Sequence, residues 1–226
     1  MNSKEFSIPR ESELRVEIID GETCVINLVG GSIEIFGLEV GGKDNFTLDW
    51  PCQIAFFSWD GATIKISGTL SISPYISTDT PMHEYLNVHS KLQFLRNYAF
   101  RTLTSGPRIL ICGPKESGKR TLSRILTTYA CRELMRPICV NLACTNFGLT
   151  LPGTVSAAQV FLDEIDVCKG IQPKVPLFFW HGQSNNTFQG FHNVLHTLSM
   201  HISSVFEQDE VVKQSGLIVT AGSWID

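Results

Sequence analysis

Short alternating stretches of apolar and polar residues, separated by turn residues, occupy the first third of the chain. Strands of this kind are indicated around Glu13–Ile19, 24–28, 32–36, 45–48, 53–58, 63–67 and 69–73. Between them lie Asp20-Gly21, Gly30-Gly31, Gly41-Gly42 and Asp60-Gly61. Short strands at regular spacing with Gly and Asp between them are typical of a β-sandwich or barrel. This pattern predicts an N-terminal all-β, sandwich-like domain over residues 1–82.

A helical period replaces the alternation after Thr80-Pro81. Apolar residues recur at helical spacing at positions 86, 88, 92, 95, 99 and 103, and Pro81 suits the position just before a helix. We predict a linking helix over residues 83–104.

Strands and helices alternate in the remainder, residues 105–226. Apolar strands are predicted at 108–112, 137–142, 177–180 and 216–221, with helices after the first strand and over about 193–206. Such alternation predicts an α/β domain with a doubly wound, mostly parallel sheet. Because the chain stops just after a strand, the expectation is a sheet that is incomplete at its C-terminus.

Charge and cysteine content narrow the class of protein. The net charge is −4, with 8 basic and 13 acidic residues in 1–104 but 10 and 9 in 105–226, so a polyanion should prefer the second part. Seven cysteines lack metal-type spacing, which favours reduced, packed thiols. No apolar stretch is long enough to span a bilayer, and the N-terminus has no secretory signal. We expect a soluble intracellular protein with no membrane partner.

A glycine-rich segment between the first predicted α/β strand and its helix carries the chemistry. It contains G-x-x-x-x-G-K, and its residues are Gly113, Pro114, Lys115, Glu116, Ser117, Gly118, Lys119, Arg120 and Thr121. In this context the backbone amides and the helix N-terminus would hold phosphates. Lys119 would reach the β- and γ-phosphates of a nucleoside triphosphate. The segment therefore predicts an ATP site.

The residue after Lys119 departs from the motif. Ser or Thr is expected there as a Mg²⁺ ligand, and an arginine cannot coordinate a cation. Thr121, one position later, is the tentative Mg²⁺ ligand and, with Lys119, the candidate catalytic residue. We expect ATP binding to tolerate Arg120 better than phosphoryl transfer does.

Several short matches in the same order resemble the polyribonucleotide 5′-hydroxyl kinase family, especially its branch in the mRNA 3′-end cleavage and polyadenylation factor. The matching segments span nearly the whole chain and include 11–15, 33–37, 57–61, 75–82, 85–89, 106–108, 151–154 and 222–224. The resemblance implies a nuclear protein whose partners are other subunits of that factor and RNA. It also implies adenosine contacts by Glu13 and Gln53, although Glu13 by itself would be interpreted as a solvated acidic residue.

The resemblance places a catalytic aspartate at Ala143 and a glutamine at Asn146. Alanine neither binds metal nor accepts a proton. Arg120 and Ala143 together predict an ATP-binding scaffold with impaired catalysis. The alternatives are an active polynucleotide 5′-hydroxyl kinase that uses Lys119 and Thr121, and a chain with no stable fold.

Other side chains have two interpretations each. His181, His192, His196 and His201 are a conceivable metal site, although surface histidines are the simpler interpretation. Asp163, Glu164 and Asp166 are either metal ligands or a solvated acidic turn, the latter being favoured. Lys115, Lys119, Arg120 and Arg124 form a basic cluster for phosphate or RNA. Trp59 and Phe178-Phe179-Trp180 could stack on bases, but core packing is favoured.

Overall fold

In a computed structural model the chain divides into two compact units, Met1–His83 and Glu84–Asp226. The structure describes residues 3–42, 45–143, 149, 151–180 and 188–222. None of the helices in this part of the chain is long and apolar enough to cross a membrane.

The first unit is an antiparallel β-structure. Its strands are β1 Ser3–Ile8, β2 Ser12–Ile18, β3 Cys24–Ile35, β4 Leu38–Gly41, β5 Asn45–Leu48, β6 Cys52–Ser58, β7 Ala62–Gly68 and β8 Tyr75–Ser77. The sheet order is β1-β7-β3-β6-β2-β8, and β4 and β5 also pair with β3. Alternate residues such as Leu14, Ile26, Phe56 and Ile64 are fully buried and form its core. The predicted all-β domain is confirmed.

Strand β3 differs from the prediction, because the expected turn at Gly30-Gly31 is a bulge within one long strand. Gly31 has φ 81°, and a Cβ atom there would lie 2.4 Å from the carbonyl oxygen of Gly61. The glycine therefore permits a close approach of two backbones. Before the bulge β3 pairs with β5 and β7, and its pairing with β7 continues to Gly31. Beyond Gly31 it pairs with β4 and β6.

The second unit is an α/β structure. Its helices are α1 Met82–Thr102, which begins two residues before the unit boundary, α2 Lys119–Arg132, α3 Phe188–Gln208 and α4 Glu210–Ser215. Its main strands are β9 Arg108–Ile111, β10 Ile138–Asn141, β11 Thr154–Gln159, β14 Leu177–Trp180 and β15 Leu217–Thr220. A 3₁₀ turn at Leu162–Glu164 precedes a small hairpin, β12 Ile165–Asp166 and β13 Gly170–Ile171.

The five main strands have the order β14-β11-β10-β15-β9. β9, β15 and β10 are parallel, whereas β11 is antiparallel to both β10 and β14. Four of the five strands therefore run in one direction, and the predicted α/β domain with a mostly parallel sheet is confirmed. The sheet is mixed through β11 alone, a strand that the sequence pattern did not reveal. Apolar clusters cover both faces: Leu126 of α2 packs with Ile218 and Cys139, and Leu198 of α3 packs with Val140 and Val155.

Helix α1 buries only part of the predicted apolar face. Leu86, Val88, Leu95 and Leu103 are exposed, whereas His89, Arg96 and Ala99 are buried. Arg96 donates from Nε to the carbonyl oxygen of Ser215 at 3.0 Å, and the His89 ring lies 5.0 Å from that of Tyr129. Polar tertiary contacts therefore fixed the orientation of this helix, which a search for apolar residues alone misses.

Candidate functional site

The glycine-rich loop connects the end of β9 to the start of α2. Glu116 has φ 63° and Gly118 has φ 80°, so two residues within three positions are left-handed. Left-handed residues among right-handed ones curl the chain and form the concave nests that bind anions. Gly118 is also the N-cap of α2 and accepts the N–H of Leu122 at 2.9 Å.

Contacts across the loop hold it closed. The Lys119 ammonium donates to the carbonyl oxygen of Gly113 at 2.8 Å and to that of Pro114. The Ser117 hydroxyl donates to the Pro114 oxygen at 2.9 Å. A Cβ atom at Gly113 would lie 2.7 Å from Ser117 Oγ, so a side chain there would force the Ser117 hydroxyl to move.

The amides of this loop suit an anion. Within the described residues, the backbone N–H groups of Lys115, Glu116 and Gly118 donate to no carbonyl oxygen. They stand at the N-terminus of a 14-residue helix, whose dipole adds partial positive charge. Exposed amides, a half-buried lysine and a helix N-terminus are together the groups that a triphosphate requires.

The first turns of α2 carry the residues assigned to magnesium and to the basic cluster. Arg120 and Thr121 are exposed. Arg124 donates from Nη2 to the carbonyl oxygens of Asp166 at 2.7 Å and Val167 at 2.9 Å, and burial lowers its pKa to about 10. The predicted four-residue basic cluster is therefore wrong for Arg124, which anchors the loop after β12 instead of pointing to the phosphate loop.

Ala143 follows β10 closely. The Asn141 side chain accepts the Ala143 N–H at 3.2 Å and donates to the Ala143 carbonyl at 3.3 Å, which turns the chain at the end of the strand. Ala143 therefore has a methyl group at the position where the resemblance places the carboxylate of a catalytic aspartate. Sequence reasoning missed this role of Asn141, for which an Asx-type turn after a strand was the available signal. Asn146 lies outside the described residues.

The acidic turn is structural. Asp163 pairs with Lys174 at 2.5 Å, and Asp166 Oδ1 accepts the N–H groups of Cys168 and Lys169 at 2.8 and 2.7 Å. Those two N–H donors, with Lys169 contributing most, lower the pKa of Asp166. Glu164 is buried and accepts two backbone N–H groups, so the expectation of a fully solvated turn is wrong for it.

The remaining candidates that the structure describes lie on α3, on β14 and at the end of β6. His192, His196 and His201 lie on α3, His181 lies outside the described residues, and the described part of the chain contains no cluster of three metal-ligating side chains. Trp59 donates to Glu34 at 3.0 Å, and Phe179 packs in the apolar cluster beneath α3. Phe178 and Trp180 lie on strand β14.

Glu13, in the first unit, is buried rather than solvated. Its carboxylate accepts from Arg15 Nε at 2.6 Å and from Thr80 Oγ1 at 2.7 Å, which ties β2 to the segment that precedes α1. Gln53 is exposed on β6 and pairs in register with Glu17. Because Glu13 pairs with Phe57, the two proposed adenosine contacts lie on one face of the sheet but about 13 Å apart along the strands.

Comparison with known proteins gives the family. Residues 7–99 match the N-terminal β-sandwich domain of polyadenylation factor, and residues 113–226 match the P-loop domain of mRNA cleavage and polyadenylation factor CLP1. The chain is 33% identical to the polyribonucleotide 5′-hydroxyl-kinase Clp1 of Gallus gallus over 225 residues, which is 97% of this chain and 52% of that protein. It is 33% identical over 229 residues to the cleavage and polyadenylation factor clp1 of Aspergillus niger, covering 95% and 46%.

Solved structures agree on the fold. The complete chain superposes with a TM-score of 0.88 and 22% identity on 56% of Clp1p in a structure that describes its interface with Pcf11p and ATP loss in a point mutant. A second structure, a wild-type Clp1p–Pcf11p complex, gives a TM-score of 0.87, also at 22% identity, over 99% of this chain and 54% of that one. The chain thus spans about half the length of the relatives it matches. It belongs to the Clp1 family of polyribonucleotide 5′-hydroxyl kinases and mRNA cleavage and polyadenylation factors.

Proposed function

We propose that this chain binds ATP at Gly113–Thr121 and acts as a catalytically impaired, scaffolding subunit in nuclear mRNA 3′-end cleavage and polyadenylation. One observation carries the nucleotide proposal. The curled loop presents the amides of Lys115, Glu116 and Gly118 at a helix N-terminus. The Lys119 ammonium donates across this loop to the carbonyl oxygen of Gly113. Nuclear location and partnership with other subunits of the cleavage factor are proposed from the relatives, which include Clp1p in complex with Pcf11p.

Most residues of the loop have a proposed part in binding. The amides of residues 115–118 would donate to phosphate oxygens, and Lys119 would exchange its carbonyl acceptors on Gly113 and Pro114 for the β- and γ-phosphates. In this turn, Thr121 would supply the hydroxyl that binds Mg²⁺. ATP supplies a transferable phosphoryl group when bound. Glu13 and Gln53 remain proposed adenosine contacts, and because the Glu13 carboxylate already accepts from Arg15 and Thr80, its contact would share that carboxylate.

Impaired catalysis is proposed from two positions. Arg120 replaces the hydroxyl that should bind Mg²⁺, and Ala143 replaces the carboxylate that should act on the attacking hydroxyl. Phosphoryl transfer depends on positioning and charge neutralisation, both of which these groups would supply. Binding needs only the loop amides and Lys119, so it is expected to persist.

Nucleotide binding is tested by thermal denaturation with and without ATP–Mg²⁺. At an ATP concentration of about 100 Kd, ligation should stabilise the second unit by about 2.7 kcal/mol and raise its Tm by roughly 5–10 °C. The Lys119→Ala variant should lose most of this shift. Lys169→Ala, which removes an exposed lysine from the β12–β13 turn, should retain it. The absence of a shift in the unsubstituted chain would refute the nucleotide proposal.

The competing function is an active 5′-hydroxyl kinase, which the presence of Lys119 and Thr121 favours. The scaffold and the active kinase are distinguished by measuring phosphate transfer from γ-labelled ATP to a 5′-hydroxyl oligoribonucleotide. We expect no transfer by the unsubstituted chain, and the double variant Arg120→Thr/Ala143→Asp tests whether those positions limit it. Incorporation by the unsubstituted chain that Lys119→Ala abolishes would establish the kinase and overturn the scaffold.

A further inference from the structure

Helix α1 carries a stripe of polar and aromatic residues opposite its buried face. At 100° per residue, spacings of four, three, four and three place five exposed side chains within about 80° of one another. We call these residues the α1 stripe: Asn87, Lys91, Phe94, Tyr98 and Arg101. All five lie within the second unit.

The two aromatic rings of the α1 stripe are unusually open to solvent. Phe94 is 62% exposed and Tyr98 is 58% exposed, although large aromatic side chains normally bury most of their surface. Their positions four residues apart place them on adjacent turns of the same face. The Lys91 ammonium lies 5.3 Å from the centroid of the Phe94 ring, so a cation and an aromatic ring are neighbours on this surface.

Cations occupy two positions of the α1 stripe. The exposed charged residues from Asn87 to Arg101 are Lys91 and Arg101, with no carboxylate among them, and Glu84 lies one turn before the stripe. Arg96 is buried and does not contribute to this surface. In a chain whose net charge is −4, two exposed cations on one helix face favour an anionic partner for that face.

We propose that the α1 stripe binds single-stranded RNA, with bases stacked on Phe94 and Tyr98 and phosphates held by Lys91 and Arg101. Cations interleaved with exposed aromatic rings are the combination that binds single strands without sequence preference. At 1.5 Å per residue the Cα atoms that carry the two rings are about 6 Å apart along the helix axis, wider than the spacing of about 3.4 Å between successive bases of a duplex strand. They therefore suit the bases of an extended strand.

An acidic peptide is the less suitable partner. Its carboxylates would satisfy Lys91 and Arg101 but would leave the faces of Phe94 and Tyr98 without planar groups to stack on. Asn87, at the N-terminal end of the stripe, adds an amide that can both donate to and accept from a base edge or a 2′-hydroxyl. This surface lies apart in sequence from the phosphate loop and does not depend on ATP binding.

The test is fluorescence anisotropy with a labelled 5′-phosphorylated oligouridylate, measured without ATP so that the nucleotide loop is not engaged. We expect the double variant Phe94→Ala/Tyr98→Ala to bind at least about tenfold more weakly. Lys91→Ala/Arg101→Ala should reduce the slope of log K against log salt by about 1.4, the value for two phosphate contacts on a single strand. The exposed α3 residue Met200 provides the control, and Met200→Ala should leave binding unchanged.

Three results would overturn the proposal: no binding of the oligouridylate, binding that survives loss of both rings, or competition by polyglutamate as strong as that by RNA, which would identify an acidic partner instead. Circular dichroism of each variant checks that α1 is intact. The ATP-dependent Tm shift should be the same in the stripe variants as in the unsubstituted chain. Failure of the RNA surface and failure of the nucleotide proposal are therefore distinguishable.

Discussion

Some charged residues of this protein make buried hydrogen bonds that cannot be predicted from the residue type alone. Glu13 is of a charged residue type that is usually exposed, yet it is buried. Its two carboxylate oxygens accept hydrogen bonds from Arg15 and Thr80. Arg96, which is buried on α1, likewise donates to the carbonyl oxygen of Ser215. In each case the cost of leaving a buried polar group without a partner makes the residue sensitive to substitution.

Substitution Glu13→Gln should destabilise the first unit by about 1–3 kcal/mol, because hydrogen bonds to an ionised group are lost from a buried site. Hydrogen exchange of peptides from the first unit at a series of urea concentrations measures this free energy. The exposed pair Arg10–Glu11 offers a matched control, and Glu11→Gln should change the free energy of unfolding by less than about 0.5 kcal/mol. Equal effects of the two substitutions would contradict the structural role of Glu13.

His89 should make the second unit sensitive to acid. Burial, then the charges of Arg96 and Arg132, lower the pKa of His89 to about 4. The unfolded chain, with an ordinary histidine pKa near 6.5, therefore binds the proton first, and stability falls as pH drops from about 6.5 to 4, by about 3 kcal/mol.

The variant His89→Phe, which keeps a ring beside Tyr129, should remove this loss of stability between pH 6.5 and 4. Chemical denaturation at a series of pH values measures it. His192→Gln, an exposed histidine on α3, should leave the pH dependence as it is. If the free energy of unfolding of the His89→Phe variant kept the same dependence on pH, another group would be the one that binds the proton.

At the scale of elements, short helices depend on their caps. Helix α4 has only six residues, and the Asp209 side chain accepts the N–H of Val212 at 3.1 Å at its N-terminus. Val212 is fully buried in the cluster that covers one face of the sheet, so the cap also positions core packing.

Asp209→Ala should therefore cost the second unit about 1 kcal/mol, whereas Asp209→Asn, which keeps an acceptor oxygen, should cost only a few tenths. The midpoint of guanidinium denaturation distinguishes them. Similar losses for both variants would mean that the charge of Asp209, and not its cap, stabilises α4.

At the scale of the whole molecule, each unit has its own core, and we predict that they respond separately to damage. Leu14 is fully buried in the first unit. Leu14→Ala should cost that unit about 2–4 kcal/mol and raise exchange rates of its protected amides by about one to three orders of magnitude. Hydrogen exchange with peptide-level readout should show little change beyond residue 84. Acceleration throughout the chain would mean that the two units unfold together.

The sequence by itself determined the elements with strong local signals. Alternating strands with Gly and Asp turns indicated the β-domain, and G-x-x-x-x-G-K between a strand and a helix indicated the loop at Gly113–Lys119. These signals are local because period-two burial and left-handed glycines depend on neighbours within a few residues.

Only the tertiary structure decided what depends on distant contacts. It made the sheet mixed through β11, buried Glu13 and Arg96, and turned Arg124 from the phosphate loop towards the carbonyl oxygens of Asp166 and Val167. Apart from the Arg15–Glu13 contact and the pairing of β10 with β11, the partners in these contacts lie between 42 and 119 residues apart in sequence. Strand direction and the partner of a buried charge are set by which segments meet in space, and no local pattern encodes that.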